Sequence, residues 1–269
     1  MNGWQVLEKV PQQESKLMNL MVNADFFSKS FSLFVRNYDL FLYGIKMTLL
    51  LAFSGTLIGL AIGLLLGGIR AVEVEPRDSM VIKVVKKVMH TFVGVYVWFL
   101  RGTPMMVQAM FLYHALRPVL GWDAMTAGIV IISVNTGAYM AEIIRSGIQS
   151  IDKGQIEAAR SIGMNSRQAM MSIVLPQAIK NSFPSIGNEF IVNIKDSSML
   201  NVIGVIEVFF QSKSVAGSVM LYSETFFITC IIYLVLTTIT TQILAIIERK
   251  MNMPKTSFPA SQTVPKTVN

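Results

Sequence analysis

Long uninterrupted apolar runs limit what this chain can fold into more than any other feature. Three such runs, at 40–69, 124–144 and 224–247, are each more than 20 residues long and almost free of charge. A helix needs about 20 apolar residues to cross a bilayer, where every backbone polar group must be bonded within the helix. The sequence therefore predicts an all-α, polytopic membrane protein.

Two further segments bring the predicted number of transmembrane helices to about five. The run 176–196 is long enough but carries charges, and the run 102–117 is slightly short. The stretch 88–100 follows a lysine-rich segment and has only about 13 residues, too few to cross. We therefore expect an interfacial helix at 88–100 and the second span at 102–117.

The distribution of basic residues predicts the orientation of the chain. The formal net charge is +7, and 14 of the 23 lysines and arginines fall in 70–87, in 145–180 and from 249 onward. With five spans these segments share one side of the membrane, which the positive-inside rule identifies as the cytoplasm. We therefore expect the N-terminus outside and the C-terminus in the cytoplasm. Because orientation accounts for the charge, no nucleic-acid partner is expected.

The two ends of the chain differ from the membrane domain predicted at 39–250. Residues 1–38 form a predicted extracellular segment, and 251–269, rich in proline, threonine and serine, form a predicted disordered cytoplasmic tail. Within the first segment, four phenylalanines near one face favour an amphipathic helix on the outer interface: Phe26, Phe27, Phe31 and Phe34.

A polar segment at 150–176 interrupts the apolar pattern. Asp152 is placed to cap a helix that ends before Gly163, a glycine typical of the position just beyond a helix end. Asn165 or Ser166 then caps a second helix, which joins the fourth span. This pattern predicts a helix-turn-helix outside the bilayer.

The first of these helices carries two adjacent alanines, Ala158 and Ala159, between Glu157 and Arg160. Small side chains form a thin face that another protein can approach closely, and the flanking charges lie on either side of it. From these residues alone, a docking surface and an ordinary solvated helical loop are equally good interpretations.

The spacing of Glu157-Ala158-Ala159, Gly163, Ile173 and Leu175-Pro176 resembles the EAA loop of bacterial ABC-importer permeases. In that family the short helix is a coupling helix, which lies in a groove of a cytoplasmic ATPase, and the segment 150–176 is therefore called the coupling loop. ATP then binds to the partner ATPase, and this chain is expected to need no cofactor. The resemblance implies an ATPase-coupling role for Asp152, Glu157, Ala158, Ala159, Arg160 and Gly163.

Three other segments, 96–108, 135–142 and 188–198, look like the polar amino-acid permeases of the histidine, glutamine, arginine and opine group. The resemblance covers about residues 40–250 and implies the type I ABC importer permease fold. It also implies a permease subunit for ATP-driven amino-acid uptake in a bacterial cell membrane. The expected partners are an ABC ATPase dimer, an extracellular solute-binding protein, a second permease that is identical or similar, and the amino acid itself.

The fourth predicted span carries charges that are costly within a membrane. Glu189 and Asp196 share one helix face, and Lys195 lies about 100° around the helix from that face. Carboxylates can hold an ammonium or guanidinium group, and the lysine can hold a carboxylate, which predicts a substrate site. Alternatively, these charges only neutralise one another or pair with the third span.

Polar residues on two other spans extend this predicted path. Asn135 and Tyr139 lie near one face of the third span, and Gln108 lies early in the second. Packing between helices is the alternative role for all three. Glu142 and Arg145, which are three positions apart, are expected to form an ion pair at the cytoplasmic end.

Glycines at four-residue intervals mark the first span. Such a stripe of small residues lets two helix backbones approach closely. The partner is either a neighbouring span or a helix of a second copy. The four positions are Gly55, Gly59, Gly63 and Gly67.

No motif for catalysis occurs in the sequence, so no catalytic residue is predicted. It contains no GxxxxGK[ST] phosphate loop, no HExxH zinc pair and no GxSxG elbow. Cys230 is the only cysteine, and His90 and His114 are far apart, so no metal site is expected. Two alternatives to the importer are an ion-gradient-driven amino-acid carrier and a membrane-embedded enzyme.

Overall fold

The computed structural model describes residues 25–71 and 78–251, and every regular element within these ranges is helical. A π-helical turn, Met170–Val174, joins α7 to α8, and a 3-10 helix, Ser197–Ile203, follows α8. The all-α prediction is thus confirmed for the described residues. The helices are α1 (25–36), α2 (Tyr38–Ala71), α3 (Met80–Gly102), α4 (Met105–Leu120), α5 (Ala124–Gln149), α6 (Lys153–Ser161), α7 (Ser166–Ala169), α8 (Leu175–Asp196), α9 (Val208–Val219) and α10 (Tyr222–Lys250).

Three helices of the described chain are individually long and apolar enough to cross a membrane: α2, α5 and α10. The segment Ser166–Ile203 and α9 meet the same criteria together, with a bend of 55° between them. In α5, 67% of the most apolar stretch is buried, against 11% in α10. α5 is therefore the central helix, and α10 lies at the outside of the bundle with most of its surface exposed.

The glycine stripe of α2 packs against α5, so the neighbouring span is its partner. A methyl group added at Gly59 would lie 2.7 Å from the Thr136 side chain, closer than carbon atoms approach. Both helices advance by four residues from one contact to the next, and they therefore run in the same direction. The contacts join Gly55 to Ile132, Gly59 to Thr136, Gly63 to Met140 and Gly67 to Ile144.

α3 runs back alongside the parallel helices α2 and α5. His90 Nε2 lies 2.9 Å from the carbonyl oxygen of Ile69, close to the end of α2. Further along α3, Tyr96 donates a 2.6 Å hydrogen bond to the carbonyl oxygen of Val134, nearer the start of α5. α3 is thus antiparallel to both neighbours. Its first ten residues, which include three lysines, project beyond the end of α2.

α4 continues this pass beyond a break at Thr103 and Pro104. Thr103 is extended, at φ −126° and ψ 148°, as steric contact with the following proline requires. Tyr113 of α4 packs in the same cluster as Ala127, near the start of α5. The predicted interfacial helix at 88–100 and separate span at 102–117 are therefore wrong. α4 has 16 residues, about 24 Å, so the two helices cross only as one broken pass.

α8 runs antiparallel to α5. Ser182 donates a 3.3 Å hydrogen bond to the carbonyl oxygen of Ile143, and further along α8 the hydroxyl of Thr136 donates to Asn193 Oδ1 at 2.9 Å. Asn193 Nδ2 in turn donates to Thr56 Oγ1 at 2.9 Å. One buried amide thus links α2, α5 and α8 near the middle of the bundle.

α10 completes the bundle by running antiparallel to α8. Its Tyr233 donates a 2.7 Å hydrogen bond to Glu207, at the start of α9. Leu244, further along α10, packs against Gly187, in the middle of α8. The passes α2, α3–α4, α5, α8 and α10 therefore alternate in direction, which agrees with the prediction of about five spans.

α1 packs across the start of α10. The rings of Phe26 and Phe27 lie edge-on to Phe227, with centroids 5.4 and 5.6 Å away. Phe31 is 71% exposed, as an apolar side chain facing lipid would be. The predicted helix is present over 25–36, while its place at the outer interface stays a prediction. The remainder of the two predicted end segments, 1–24 and 252–269, lies outside the described residues.

Candidate translocation path and coupling loop

The coupling loop begins with α6, which is capped at both ends as its sequence predicts. Asp152 Oδ1 accepts a 2.6 Å hydrogen bond from the Gly154 amide at the start of the helix. Gly163 lies just beyond its end, with φ of +87°. Its amide donates to the Arg160 carbonyl at 3.0 Å, and the Met164 amide donates to the Ala159 carbonyl at 3.1 Å. These two bonds form a Schellman motif, in which glycine adopts the left-handed backbone without strain.

The second half of the loop is continuous with α8. Asn165, one of the two predicted caps, accepts a 2.9 Å hydrogen bond from the Gln168 amide, and Gln168 Oε1 accepts one of 2.9 Å from the Asn165 amide. This capping box starts α7, which passes through the π-helical turn into α8 without an intervening coil. The backbone stays helical from Ser166 to Asp196, so the second half of the loop and α8 form one continuous element.

The exposed face of α6 differs from the thin alanine face that the sequence predicts. Glu157, Ala158 and Arg160 are exposed, but Ala159 is buried. Ile162, just after α6, is 79% exposed, and sequence reasoning missed it. The face thus offers one alanine, two charges and a large apolar side chain to a partner.

A polar cleft of about 340 Å³ lies between the end of α3, α5 and α8. Arg101 lies at one end, with its guanidinium carbon 5.2 Å from the centre of the Tyr139 ring. The lining then descends along α5 and α8 towards the coupling loop. The lining residues are Arg101, Tyr139, Glu142, Ile143, Ser146, Gly147, Ser150, Asn181, Ser182 and Ser185.

Glu189 lies one helical turn beyond Ser185, just past the residues that line the cleft. Its side chain is buried, and the charges of Asp196 and Arg101 act on it. Asp196 is half-buried, whereas Lys195 is exposed. Of the predicted substrate residues, Tyr139 therefore lines the cleft, and Glu189 lies one turn past its lining. Asp196 and Lys195 lie two turns further along α8.

Asn135 and Gln108, also predicted to line the path, hold the break between α3 and α4 together. Gln108 Nε2 donates to the Leu100 carbonyl at 2.8 Å and to the Thr103 carbonyl at 2.9 Å. Asn135 Nδ2 donates to Gln108 Oε1 at 2.8 Å. Both amides are buried, and they supply donors to carbonyls that the interrupted helix leaves without partners.

Glu142 lines the cleft one turn beyond Tyr139 on α5, and it binds two arginines. Its Oε1 accepts from Arg145 Nε at 3.0 Å, and its Oε2 accepts from Arg70 Nη1 at 3.2 Å. The predicted pair with Arg145 is confirmed. Arg70 was not predicted, because its proximity depends on the packing of α2 against α5.

Sequence reasoning also missed Glu207, a buried carboxylate between the 3-10 helix and α9. It accepts hydrogen bonds of 2.9 and 2.8 Å from the amides of Phe209 and Phe210, and one of 2.7 Å from Tyr233. The side chain therefore caps α9 and ties it to α10. In the sequence, Glu207 lies between Gly204 and an apolar helix, a position from which an acidic residue can cap the helix. Gly204 itself has φ of +87°.

A row of exposed polar side chains follows α8 next to the cleft. The residues are spaced by four, four and three positions, so they share one helix face. An amide or hydroxyl on a lipid-facing surface is costly, and this face therefore borders water or another protein surface. The row consists of Gln177, Asn181, Ser185 and Asn188.

Residues 59–253 match the family of binding-protein-dependent transport system inner membrane components. The chain belongs to this family. The match reaches from α2 past the end of α10, so it includes the coupling loop and the cleft. A member of this family is a component of a transporter.

The relatives and solved structures similar to this chain agree with the family. The glutamine transport system permease protein GlnP of Escherichia coli (strain K12) is 34% identical over 217 residues, which are 80% of this chain and 94% of the relative. The arginine transport system permease protein ArtQ of Bacillus subtilis (strain 168) is 34% identical over 226 residues, 82% of this chain and 96% of the relative.

A crystal structure of an amino acid ABC transporter with histidines has 38% sequence identity and a TM-score of 0.68, covering 80% of this chain and 96% of that one. An inward-facing MetNI methionine ABC transporter has a TM-score of 0.67 at 19% identity, covering 79% and 96%, and shows the shared fold alone. These likenesses confirm the predicted type I ABC importer permease fold.

Proposed function

We propose that this chain is the permease subunit of an ATP-driven amino-acid importer. The observation that carries the proposal is the polar cleft beside α8, together with the unbroken helical backbone from that helix to an exposed coupling loop. The names of the similar permeases, which refer to glutamine and arginine, support an amino acid as the substrate.

The cleft and the exposed row on α8 form one wall of the translocation path. Polar side chains at membrane depth are tolerated where they border water or another subunit. We infer that a second permease copy, identical or similar, supplies the opposite wall. The cleft extends from Arg101 to Ser150 and Asn181, next to the coupling loop, so it opens on the cytoplasmic side.

The coupling loop binds a cytoplasmic ATPase through the exposed face of α6. ATP is bound and hydrolysed by that partner, and this chain contributes no catalytic residue or cofactor. Closure of the ATPase dimer displaces α6, and the continuous helix transmits this displacement to α8. The N-terminus lies outside, where an extracellular binding protein delivers the amino acid, and the C-terminus lies in the cytoplasm.

Co-reconstitution in liposomes with the ATPase and the binding protein tests this function. We expect one amino acid, when bound to the binding protein, to stimulate ATP hydrolysis and to accumulate in the liposomes. Glu157→Lys reverses a charge on the exposed face and should reduce both activities. Glu248→Lys makes the same charge reversal near the end of α10, outside the coupling loop, and serves as the control, with both activities unchanged. Uptake that follows an ion gradient and ignores the ATPase would overturn the proposal.

A further inference from the structure

An apolar groove of about 340 Å³ lies at the corner between α1 and α2. Asn37 fixes this corner: its side-chain amide donates a 2.9 Å hydrogen bond to the Leu33 carbonyl, and its own carbonyl accepts one of 3.1 Å from the Leu40 amide. The ring of Phe34 stacks on that of Phe41, with centroids 5.9 Å apart. The groove is therefore preformed. Six apolar or aromatic side chains line it: Phe34, Val35, Tyr38, Phe41, Leu42 and Ile45.

The groove opens on the outside of the bundle at the depth of the hydrocarbon. Phe41 and Ile45 pack in one cluster with Ile228 and Ile232, which lie within the apolar run of α10. Leu42 is exposed at the opening. A cavity with such a lining does not hold water, so an apolar chain is the occupant that suits it.

Lys46 adjoins the groove on the exposed face of α2. It is exposed, one turn beyond Leu42 and one turn before Leu50, which are themselves 60% and 45% exposed. Among the described residues, no acidic side chain lies within ion-pair distance of Lys46. An isolated charge on this face costs free energy in a membrane unless the flexible stem of the lysine carries its ammonium group to a lipid phosphate.

The charges near the groove favour a negatively charged headgroup. Arg36, at the end of α1, and Lys46 are both exposed, and Asp39 is the one exposed acid between them in the chain. The net charge beside the groove is therefore positive. An apolar chain joined to a negatively charged headgroup, which is the chemistry of an anionic phospholipid, complements both the groove and its cations.

We propose that this groove binds an anionic phospholipid, with an acyl chain between α1 and α2 and the phosphate bonded to Lys46. The phenylalanine-rich helix α1 then forms one wall of a lipid site. This inference goes beyond the proposed function and requires only that the chain is inserted in a bilayer. A failure of ATPase coupling would therefore contradict the proposed function and leave the lipid site intact.

The test uses the purified full-length chain in an uncharged detergent, with two photoreactive probes. Phosphatidylglycerol and diacylglycerol carry identical acyl chains, each with a terminal diazirine, and differ only in the phosphoglycerol headgroup. Peptide mass spectrometry compares labelling of the groove residues with labelling around Leu234, which is 61% exposed on α10.

We expect phosphatidylglycerol to label the wild-type groove at a concentration about 10-fold lower than diacylglycerol, since a hydrogen bond to a charged group is strong. Lys46→Gln should lose this advantage, whereas Lys46→Arg should keep it. Lys213→Gln removes an exposed charge on α9 and is the control, which should match the wild type. Labelling of the groove by diacylglycerol should be the same in all of these variants.

Filling the groove tests the position of the acyl chain. Leu42→Trp places a large side chain at the opening and should suppress labelling of the groove by both probes. Leu50→Trp makes the same change two turns further along α2, outside the groove lining, and should leave the labelling unchanged.

Three results would overturn the inference. The first is labelling of the groove that does not exceed labelling around Leu234, which indicates ordinary contact with lipid. The second is a preference for phosphatidylglycerol that persists in Lys46→Gln. The third is a wild-type groove that neither probe labels, in which case another protein surface, such as a second permease copy, covers it. If Leu42→Trp does not purify, the comparison of Lys46→Gln with Lys46→Arg decides.

Discussion

At the scale of single residues, the buried polar groups of this bundle connect helices. Asn193 accepts from Thr136 and donates to Thr56, so one side chain joins three passes. Gln108 and Asn135 supply donors at the α3–α4 break. Each of these side chains supplies a hydrogen-bond partner, because the membrane interior contains no water that could do so.

Asn193→Ala should lower the free energy of unfolding by about 1–2 kcal/mol, since two interhelical hydrogen bonds are lost and two hydroxyls lose their partner. The measurement is chemical or thermal unfolding of the purified chain in detergent. Asn188→Ala is the matched control, because Asn188 lies on the same helix but is exposed. Equal stability of the two variants would show that the Asn193 links contribute little.

At the scale of helices, the α2–α5 contact depends on where glycines occur. Added methyl groups at Gly63 would meet both the side chain and the backbone of Met140, whereas the same change at Gly68 meets nothing within 4 Å. Both positions lie within α2, although Gly68 is in its last turn, where the gain in helix propensity from alanine is smaller.

Gly63→Ala is therefore expected to destabilise the chain by about 1–3 kcal/mol through forced separation of α2 and α5. Gly68→Ala should leave stability unchanged or raise it slightly, because alanine favours a helix. Unfolding midpoints of the two variants give the comparison. If Gly63→Ala were as stable as Gly68→Ala, close packing along the stripe would not be required.

The end of α6 depends on the left-handed backbone of Gly163. Alanine there costs about 1–2 kcal/mol, because its Cβ approaches the following carbonyl oxygen, while asparagine tolerates this conformation. Nothing lies within 4 Å of a Cβ at this position, so backbone strain alone distinguishes the two variants. Gly163→Ala should lower the number of amino acids transported per ATP hydrolysed, and Gly163→Asn should retain most of it. If both variants transported the same number of amino acids per ATP hydrolysed, the conformation of this turn would not matter for coupling.

At the scale of the whole molecule, five alternating passes place a polar cleft against an otherwise apolar exterior. Ser185 lines this cleft, whereas Leu234 on α10 is 61% exposed on the outer surface. The proposed path requires water at the first position and lipid at the second.

In a Cys230→Ser background, Ser185→Cys should react with a charged, membrane-impermeant thiol reagent added from the cytoplasmic side. Leu234→Cys should not react, because a thiol surrounded by hydrocarbon does not form the reactive thiolate. Labelling is measured by mass spectrometry of the purified chain. The path would be misplaced if Leu234→Cys reacted as fast as Ser185→Cys.

Local sequence patterns predicted much of the coupling loop and of the helical character. The Asp152 cap and the Gly163 terminus depend on contacts within a few residues, and both are present. The Glu142–Arg145 pair is likewise confined to one turn of α5. Such features follow from propensity and spacing, which are properties of the sequence itself.

The tertiary structure decided what depends on residues far apart in the chain. It joined α3 and α4 into one pass, because Gln108 donates to the carbonyls that Pro104 leaves open and Asn135 donates to the side-chain oxygen of Gln108. It also placed Arg101 over Tyr139 in the cleft, 38 positions away in sequence. The sequence by itself determined a bundle of helices in a membrane with a capped polar loop, because length, apolarity and capping are local. Which polar side chains meet inside that bundle depends on helix direction and register, and only the packed structure determines these.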